Sequence, residues 1–213
     1  MQYFWLNKQD NNKKLIVFFN GWAMNQTPVE HLKKENYNIL VLFDYRSFDL
    51  DLSIFEFDKY DKKYLIAWSM GVMVCNLFNE YLSSFDKKIA INGTAKIVDN
   101  EFGIPSKIYK VTTRYLNEKS KEKFIKNMFQ GGILNPNIKI TRNIEELKQE
   151  LVSIENLRID CELKFDKAIV STLDRIIPAQ NQLAFWSNRA EIEQIDSTHC
   201  PFESYNSWQD LLC

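Results

Sequence analysis

Residues 65–75 read Leu65-Ile66-Ala67-Trp68-Ser69-Met70-Gly71-Val72-Met73-Val74-Cys75. An apolar run of strand character ends at a single serine. A glycine stands two positions on, and a second apolar run then begins with the character of a helix. A hydroxyl between a buried strand and a buried helix fits a nucleophile elbow, in which a sharp turn lifts the serine to the sheet edge. The backbone N–H of the next residue, Met70, then faces a developing oxyanion. Small residues flank such a serine at two positions either side because the strained turn leaves little room; here they are Ala67, in place of the more usual glycine, and Gly71. A serine in an ordinary strand-to-helix loop is the competing reading. The elbow therefore has to be judged by what else the chain supplies.

Outward from this point the pattern is that of an α/β protein. Strand character falls at Tyr3–Leu6, Leu15–Phe19, Ile39–Phe43, Tyr64–Trp68, Lys88–Ile91, Ala168–Ser171 and Glu191–Ile195. The runs at Leu15 and Tyr64 are continuously apolar, as central strands covered on both faces require. Met70–Leu82 reads as a helix between two strands, the rhythm of a parallel sheet. Weaker helix signals lie at Glu30–Lys34, and residues 203–212 suggest a closing helix. Between residues 96 and 165 strands give way to helical pieces, Glu118–Phe129 and Ile144–Ile154, joined by Gly131-Gly132 and Asn135-Pro136. This stretch is expected to be a helical cap inserted into a core of residues 1–95 and 166–213. It is locally basic: residues 96–139 hold nine Lys or Arg and four Asp or Glu.

A serine hydroxyl is a poor nucleophile without a base, and the base needs an acid to orient it. In the α/β-hydrolase fold the chain order is serine, acid, histidine. Only His31 and His199 exist. His31 precedes the serine in a polar segment, where exposure to solvent is its expected lot. His199 follows the last strand in a turn-rich loop. Asp174 comes just after the Ala168–Ser171 strand, with Pro178 closing the loop. Asp166 precedes that strand, and Asp196 is only three residues from His199, so Asp174 fits best. A second oxyanion donor is expected from the loop after an early central strand. Leu15–Phe19 runs into Asn20-Gly21-Trp22-Ala23-Met24-Asn25, where Gly21 lets the backbone come close and leaves the Trp22 N–H to act with that of Met70.

The whole chain sets few other demands. Its 213 residues, 45% hydrophobic and 26% charged, favour one soluble globular domain with a sizeable core. A formal net charge of -1 gives no general attraction to nucleic acid or anionic membrane. The first residues lack the basic start and apolar stretch of a secretory signal, and no run is long enough to span a bilayer. Cys75, Cys161, Cys200 and Cys213 have no metal-ligand spacing. Free thiols, a cytoplasmic location, a monomer and a site without metal or organic cofactor are the expectations.

Three motifs carry a family resemblance. Asn20-Gly21-Trp22-Ala23-Met24-Asn25 is similar to the H-G-W-G-x-N loop of the pimeloyl-[acyl-carrier protein] methyl ester esterases of biotin synthesis. Ala67-Trp68-Ser69-Met70-Gly71 is similar to their G-W-S-x-G elbow, and His199-Cys200-Pro201-Phe202 resembles their H-x-P-F loop. Asn20 and Ala67, where many relatives have histidine and glycine, point to the BioG-type branch. The resemblance covers residues 15–93 and 166–205. It implies an α/β-hydrolase fold and cleavage of a methyl ester from a pimeloyl chain held on acyl-carrier protein, with Ser69 as nucleophile, His199 as base, Asp174 as acid and Trp22 and Met70 as oxyanion donors. Gly21, Trp68 and Phe202 would meet the substrate, Trp68 along the acyl channel. The carrier is acidic, so Lys107, Lys110, Arg114, Lys121, Lys123 and Lys126 of the basic cap are candidates for docking it. The same triad would equally serve a broad carboxylesterase or an acyl thioesterase, and a noncatalytic hydrolase-like binding protein is the reading from another class.

Overall fold

A computed structural model of the chain describes residues 1–129, 137–159 and 161–213. The expected linkers Gly131-Gly132 and Asn135-Pro136 lie outside the described residues. Seven strands form one sheet: β1 (Gln2–Asn7), β2 (Lys14–Phe19), β3 (Tyr37–Phe43), β4 (Lys62–Trp68), β5 (Lys87–Ile91), β6 (Lys167–Ser171) and β7 (Glu191–Ile195). Their spatial order is β1-β3-β2-β4-β5-β6-β7. β1 is antiparallel to β3, and every other pairing is parallel. Leu15–Phe19 of β2 and Leu65–Ala67 of β4 are wholly buried, which explains their unbroken apolar sequence. The edge strands β1 and β7 expose several residues.

Parallel strands end on one side of the sheet, and the chain reverses its winding direction between β3 and β4. In open sheets of this kind the functional crevice lies outside the carboxyl ends of the strands at this reversal. The backbone there is unusual. Asp44, Ser69 and Asn92, the residues immediately after β3, β4 and β5, all have positive φ (60°, 55° and 45°), and Ala23 in the loop after β2 has φ 68°. Such left-handed geometry is uncommon outside glycine and gathers at functional sites.

The expected single helix over Met70–Leu82 is broken. α1 (Gly71–Val74) passes into a 3-10 stretch, Cys75–Phe78, before α2 (Asn79–Leu82). Asn76 is the physical reason: its amide donates to the Val72 and Met73 carbonyls (2.6 and 3.2 Å), and its Oδ1 accepts the Leu163 N–H at 2.6 Å. A side chain that takes helix carbonyls while serving a distant backbone disturbs the regular ladder. Glu30–Lys34 is likewise not a helix. A 3-10 turn covers Thr27–Val29, and Lys33 bridges Ser207.

Three helices occupy the interval between β5 and β6: α3 (Ser106–Arg114), α4 (Glu118–Phe129) and α5 (Ile144–Asn156). The Tyr109 hydroxyl donates to the Leu151 carbonyl at 2.8 Å, tying α3 to α5. The segment meets the sheet at the loops after β2 and β7, where Trp22 Nε1 donates to Leu147 O (3.1 Å) and Cys200 N–H to Met128 O (3.3 Å). α6 (Ala179–Trp186) opens behind Pro178, so the proline read as a loop stop is also a helix start. α7 (Trp208–Leu212) closes the chain with a Ser207/Asp210 capping box.

Candidate active site

Ser69 sits on a turn that the packing leaves no freedom to widen. Its N–H donates to Ile91 O at 2.9 Å, holding the elbow to the neighbouring strand. A Cβ on Gly71 would stand 2.3 Å from Phe19 O, and one on Gly93 would stand 2.3 Å from Ser69 O. Both positions therefore require glycine, one to seat α1 against β2 and the other to pass beneath the serine.

Three side chains from three strand ends converge. Ser69 Oγ lies 2.9 Å from His199 Nε2, and His199 Nδ1 lies 2.8 Å from Asp174 Oδ2. All three are buried. Asp174 is fully engaged. Oδ1 accepts the N–H groups of Ile176 (2.8 Å) and Ile177 (3.0 Å), and Oδ2 also accepts Gln182 Nε2 at 2.8 Å. A carboxylate holding three donors besides the imidazole has its orientation set before the imidazole arrives. Asp166 and Asp196 serve elsewhere: Asp166 accepts the Lys88 N–H, and Asp196 faces the Thr172 hydroxyl. His31 is half-exposed, with Nε2 3.1 Å from Phe202 O.

The histidine loop is fixed by two groups. Trp68 Nε1 donates to the His199 carbonyl at 2.8 Å, and Asn92 Nδ2 donates to it at 3.0 Å while also reaching Thr198 O and Ser171 Oγ. Trp68 is 1% exposed and packs its ring edge-to-face on Phe202 at 5.0 Å. Phe202, wholly buried, also meets Phe18. Both rings therefore pack against the histidine loop. A Cβ on Gly21 would come 3.1 Å from the Trp68 ring and 3.3 Å from Ser69 Cβ, so its smallness lets the loop lie against the elbow.

Next to the serine two backbone donors stand idle. Among the described residues no acceptor takes the N–H of Trp22 or Met70, although both residues are almost fully buried. Buried N–H groups are rarely left so. Both residues line a cavity of about 370 Å³, walled largely by Ile104, Tyr109, Phe124, Leu151 and Ile176, with Lys123 and Arg175 among its polar lining. Phe124 meets the Trp22 ring edge-to-face at 4.7 Å.

Of the six basic residues, Lys107, Lys110 and Arg114 are exposed on α3, and Lys123 and Lys126 on α4. Lys121 is half-buried and paired with Glu118, which compensates its charge. Ile108, Val111 and Tyr115, which also line the cavity, are about half exposed beside them.

A buried ionic cluster lies on the other flank of the cavity. Glu150 of α5, wholly buried, accepts the Tyr45 N–H (2.8 Å) and the Ala23 N–H (3.2 Å) and pairs with Arg142 (2.9 Å). Arg142 also pairs with Asp44, and Asp44 with Arg46. Burial pushes the Glu150 carboxyl up, against the Arg142 charge and the two N–H groups. Sequence reasoning passed over Asn92, Gln182 and Glu150. Asn92-Gly93 is a turn dipeptide directly after a strand, a signal open to reading. Glu150 shares the apolar stripe of Leu147, Leu151 and Ile154, and a carboxylate on such a stripe needs a buried partner. Gln182 carries no such mark.

All four cysteines are free thiols. No helix among the described residues is long and apolar enough to cross a membrane.

Comparison with known proteins adds the following. Residues 1–211 match the family model described as pimeloyl-ACP methyl esterase BioG. A malonyl-[acyl-carrier protein] O-methyltransferase of Bacteroides fragilis is 34% identical over 195 residues, 88% of this chain; the chain spans only 39% of that relative's length. The crystal structure of selenomethionine BioG from Haemophilus influenzae superposes with a TM-score of 0.84 at 29% identity, covering 99% of each chain. An enol-lactonase of Burkholderia xenovorans shares the fold at 14% identity, with a TM-score of 0.68 over 93% of this chain and 89% of its own. These neighbours bear out the expected α/β-hydrolase fold.

Proposed function

Because the chain belongs to the BioG family of pimeloyl-ACP methyl esterases, we propose that it is a serine hydrolase that cleaves the methyl ester of pimeloyl-[acyl-carrier protein], releasing methanol and pimeloyl-[acyl-carrier protein] for biotin synthesis. The observation that carries the chemistry is the hydrogen-bonded line Ser69–His199–Asp174 ending beside two unpaired backbone donors. The family supplies the substrate. The named activity of the Bacteroides relative, methylation of an oxygen on malonyl-carrier protein, is the making of the kind of ester removed here.

In this reading Ser69 Oγ attacks the ester carbonyl as His199 Nε2 takes its proton, and Asp174 stabilises the imidazolium. The carbonyl oxygen gains the negative charge and is held by the Trp22 and Met70 N–H groups, which the folded chain has oriented in advance. The tetrahedral carbon expels methoxide, protonated by His199, and leaves an acyl-serine. Water, deprotonated by His199, repeats the sequence, and the carboxylate departs with Ser69 restored. Each proton and charge is handled by groups of this chain, so the steps need no metal or organic cofactor.

The substrate also holds a thioester at its other end. Residues 96–165, acting as a cap, would dock the acidic carrier through Lys107, Lys110, Arg114, Lys123 and Lys126, with a lesser share for the paired Lys121. The acyl chain would then enter the cavity methyl ester first, and the thioester would stay outside.

Intact-mass analysis of pimeloyl-carrier protein methyl ester, treated with wild type and with Ser69→Ala, tests this. Loss of the methyl group alone, abolished in Ser69→Ala, is the expected result. Loss of the whole acyl chain would make the protein a thioesterase. Cleavage of a small ester with the carrier substrate untouched would defeat the substrate assignment and leave a broad esterase. No serine adduct with a fluorophosphonate and no hydrolysis would leave a binding protein.

A further inference from the structure

We infer that Glu150 is a positioning residue for the oxyanion loop, held out from α5 to fix the direction of the Trp22 N–H; the inference rests on the reading of Ser69, Trp22 and Met70 given above.

Met24 N–H donates to Gly21 O at 3.3 Å. In a trans peptide the carbonyl and the N–H point in opposite directions, so this bond turns the Trp22 N–H away from the loop and toward the cavity. The next peptide must hold that setting, and it passes through Ala23 at φ 68°, a conformation a non-glycine residue does not keep unaided. Glu150 Oε2 accepts the Ala23 N–H at 3.2 Å, while Leu147 O, one turn earlier on α5, accepts Trp22 Nε1 at 3.1 Å. Two successive residues of the loop are thus gripped by one turn of one helix. The second carboxylate oxygen accepts the Tyr45 N–H at 2.8 Å, immediately after the left-handed Asp44. Two N–H donors converge on the two oxygens of one side chain, which only an acceptor-only group satisfies. An amide in its place turns an NH₂ toward one of them. A residue of the cap segment thereby sets the geometry of a catalytic donor belonging to the core.

The test compares Glu150→Gln with Glu146→Gln, using a small ester and a trifluoromethyl ketone that forms a tetrahedral oxyanion adduct on Ser69. Glu146 lies on the same helix and pairs with Arg46 at its solvent side, without touching the loop. Glu150→Gln is expected to lower kcat roughly 10- to 100-fold with KM within about twofold, less than full deletion of an oxyanion donor costs. Ketone affinity should fall in the same proportion. Glu146→Gln, whose amide oxygen can still accept the Asn143 N–H and close the α5 capping box, should keep wild-type kcat. Should Glu150→Gln fail to fold, Arg142→Met/Glu150→Gln, which leaves no unpaired buried charge, is read in its place. A folded Glu150 variant with wild-type kcat, or with kcat lowered and ketone affinity unchanged, would overturn the inference alone. Full activity in Ser69→Ala would overturn the reading of the site, and the inference with it.

Discussion

At the scale of single residues the site depends on satisfied hydrogen bonds more than on Ser69, His199 and Asp174 by themselves. Gln182 gives its amide to Asp174 Oδ2 and to Ile177 O and is wholly buried. Gln182→Leu removes one of four donors from a buried carboxylate, which generally costs about 1–3 kcal/mol of stability. Steady-state kinetics should show kcat reduced roughly tenfold, equivalent to about 1.4 kcal/mol in the barrier, because Asp174 is then free to turn from His199. Unchanged kinetics would mean that the Ile176 and Ile177 N–H groups alone orient it. Gly71→Ala is the harsher change. Its methyl cannot coexist with Phe19 O, a backbone atom, so the variant should fail to accumulate as folded protein in a soluble-expression assay.

Among the elements, all seven strands were legible: the central ones because buried parallel strands write themselves as short apolar runs, the edges through the aromatic content of β1 and the alternation of β7. Their limits moved by at most two residues. The meeting of Ser69, His199 and Asp174 was legible too, since chain order on such a sheet is fixed by where each strand ends. Helices were less so. Asn76 breaks the elbow helix through contacts with residue 163, nearly ninety positions away, and local pattern holds no trace of that partner. α3 and α6 were missed because each starts behind a proline, at Pro105 and Pro178, that reads equally well as a loop. Trp68 was expected along the acyl channel as a neighbour of Ser69, and its hydrogen bond to the His199 carbonyl is a contact that local pattern does not announce. α5 has a complete capping box between Asn143 and Glu146. Asn143→Ala should cost about 1 kcal/mol in urea unfolding. If α5 holds the oxyanion loop as inferred, the same variant should also lower kcat measurably below the unfolding transition.

For the whole molecule, stability and turnover should respond differently to solution conditions. Burial raises the Asp44 carboxyl, but the Arg46 hydrogen bond and the charges of Arg142 and Arg46 more than offset this, leaving it below its ordinary value of 3.8. A carboxylate depressed on folding contributes stability that is fully present above its unfolded value and lost as pH falls through the folded one. Urea unfolding of Asp44→Asn at a series of acidic pH values should therefore lose less stability on acidification than wild type. A parallel decline would remove Asp44 from the account. Added salt should raise KM for the carrier-bound ester and leave that for a small neutral ester nearly unchanged, since only docking relies on screened surface charge. Equal responses would dismiss the basic face as the carrier's landing point. The left-handed residues at the ends of the central strands carry a last consequence. A non-glycine residue held there stores strain of about 1–3 kcal/mol, and at Ser69 glycine would relieve it while removing the proposed nucleophile. Ser69→Gly should accordingly melt no lower than wild type, even with the entropic cost of glycine. Drift toward a more stable protein then runs downhill into an inactive one, so a lineage keeps this serine only while natural selection continues to reward the reaction.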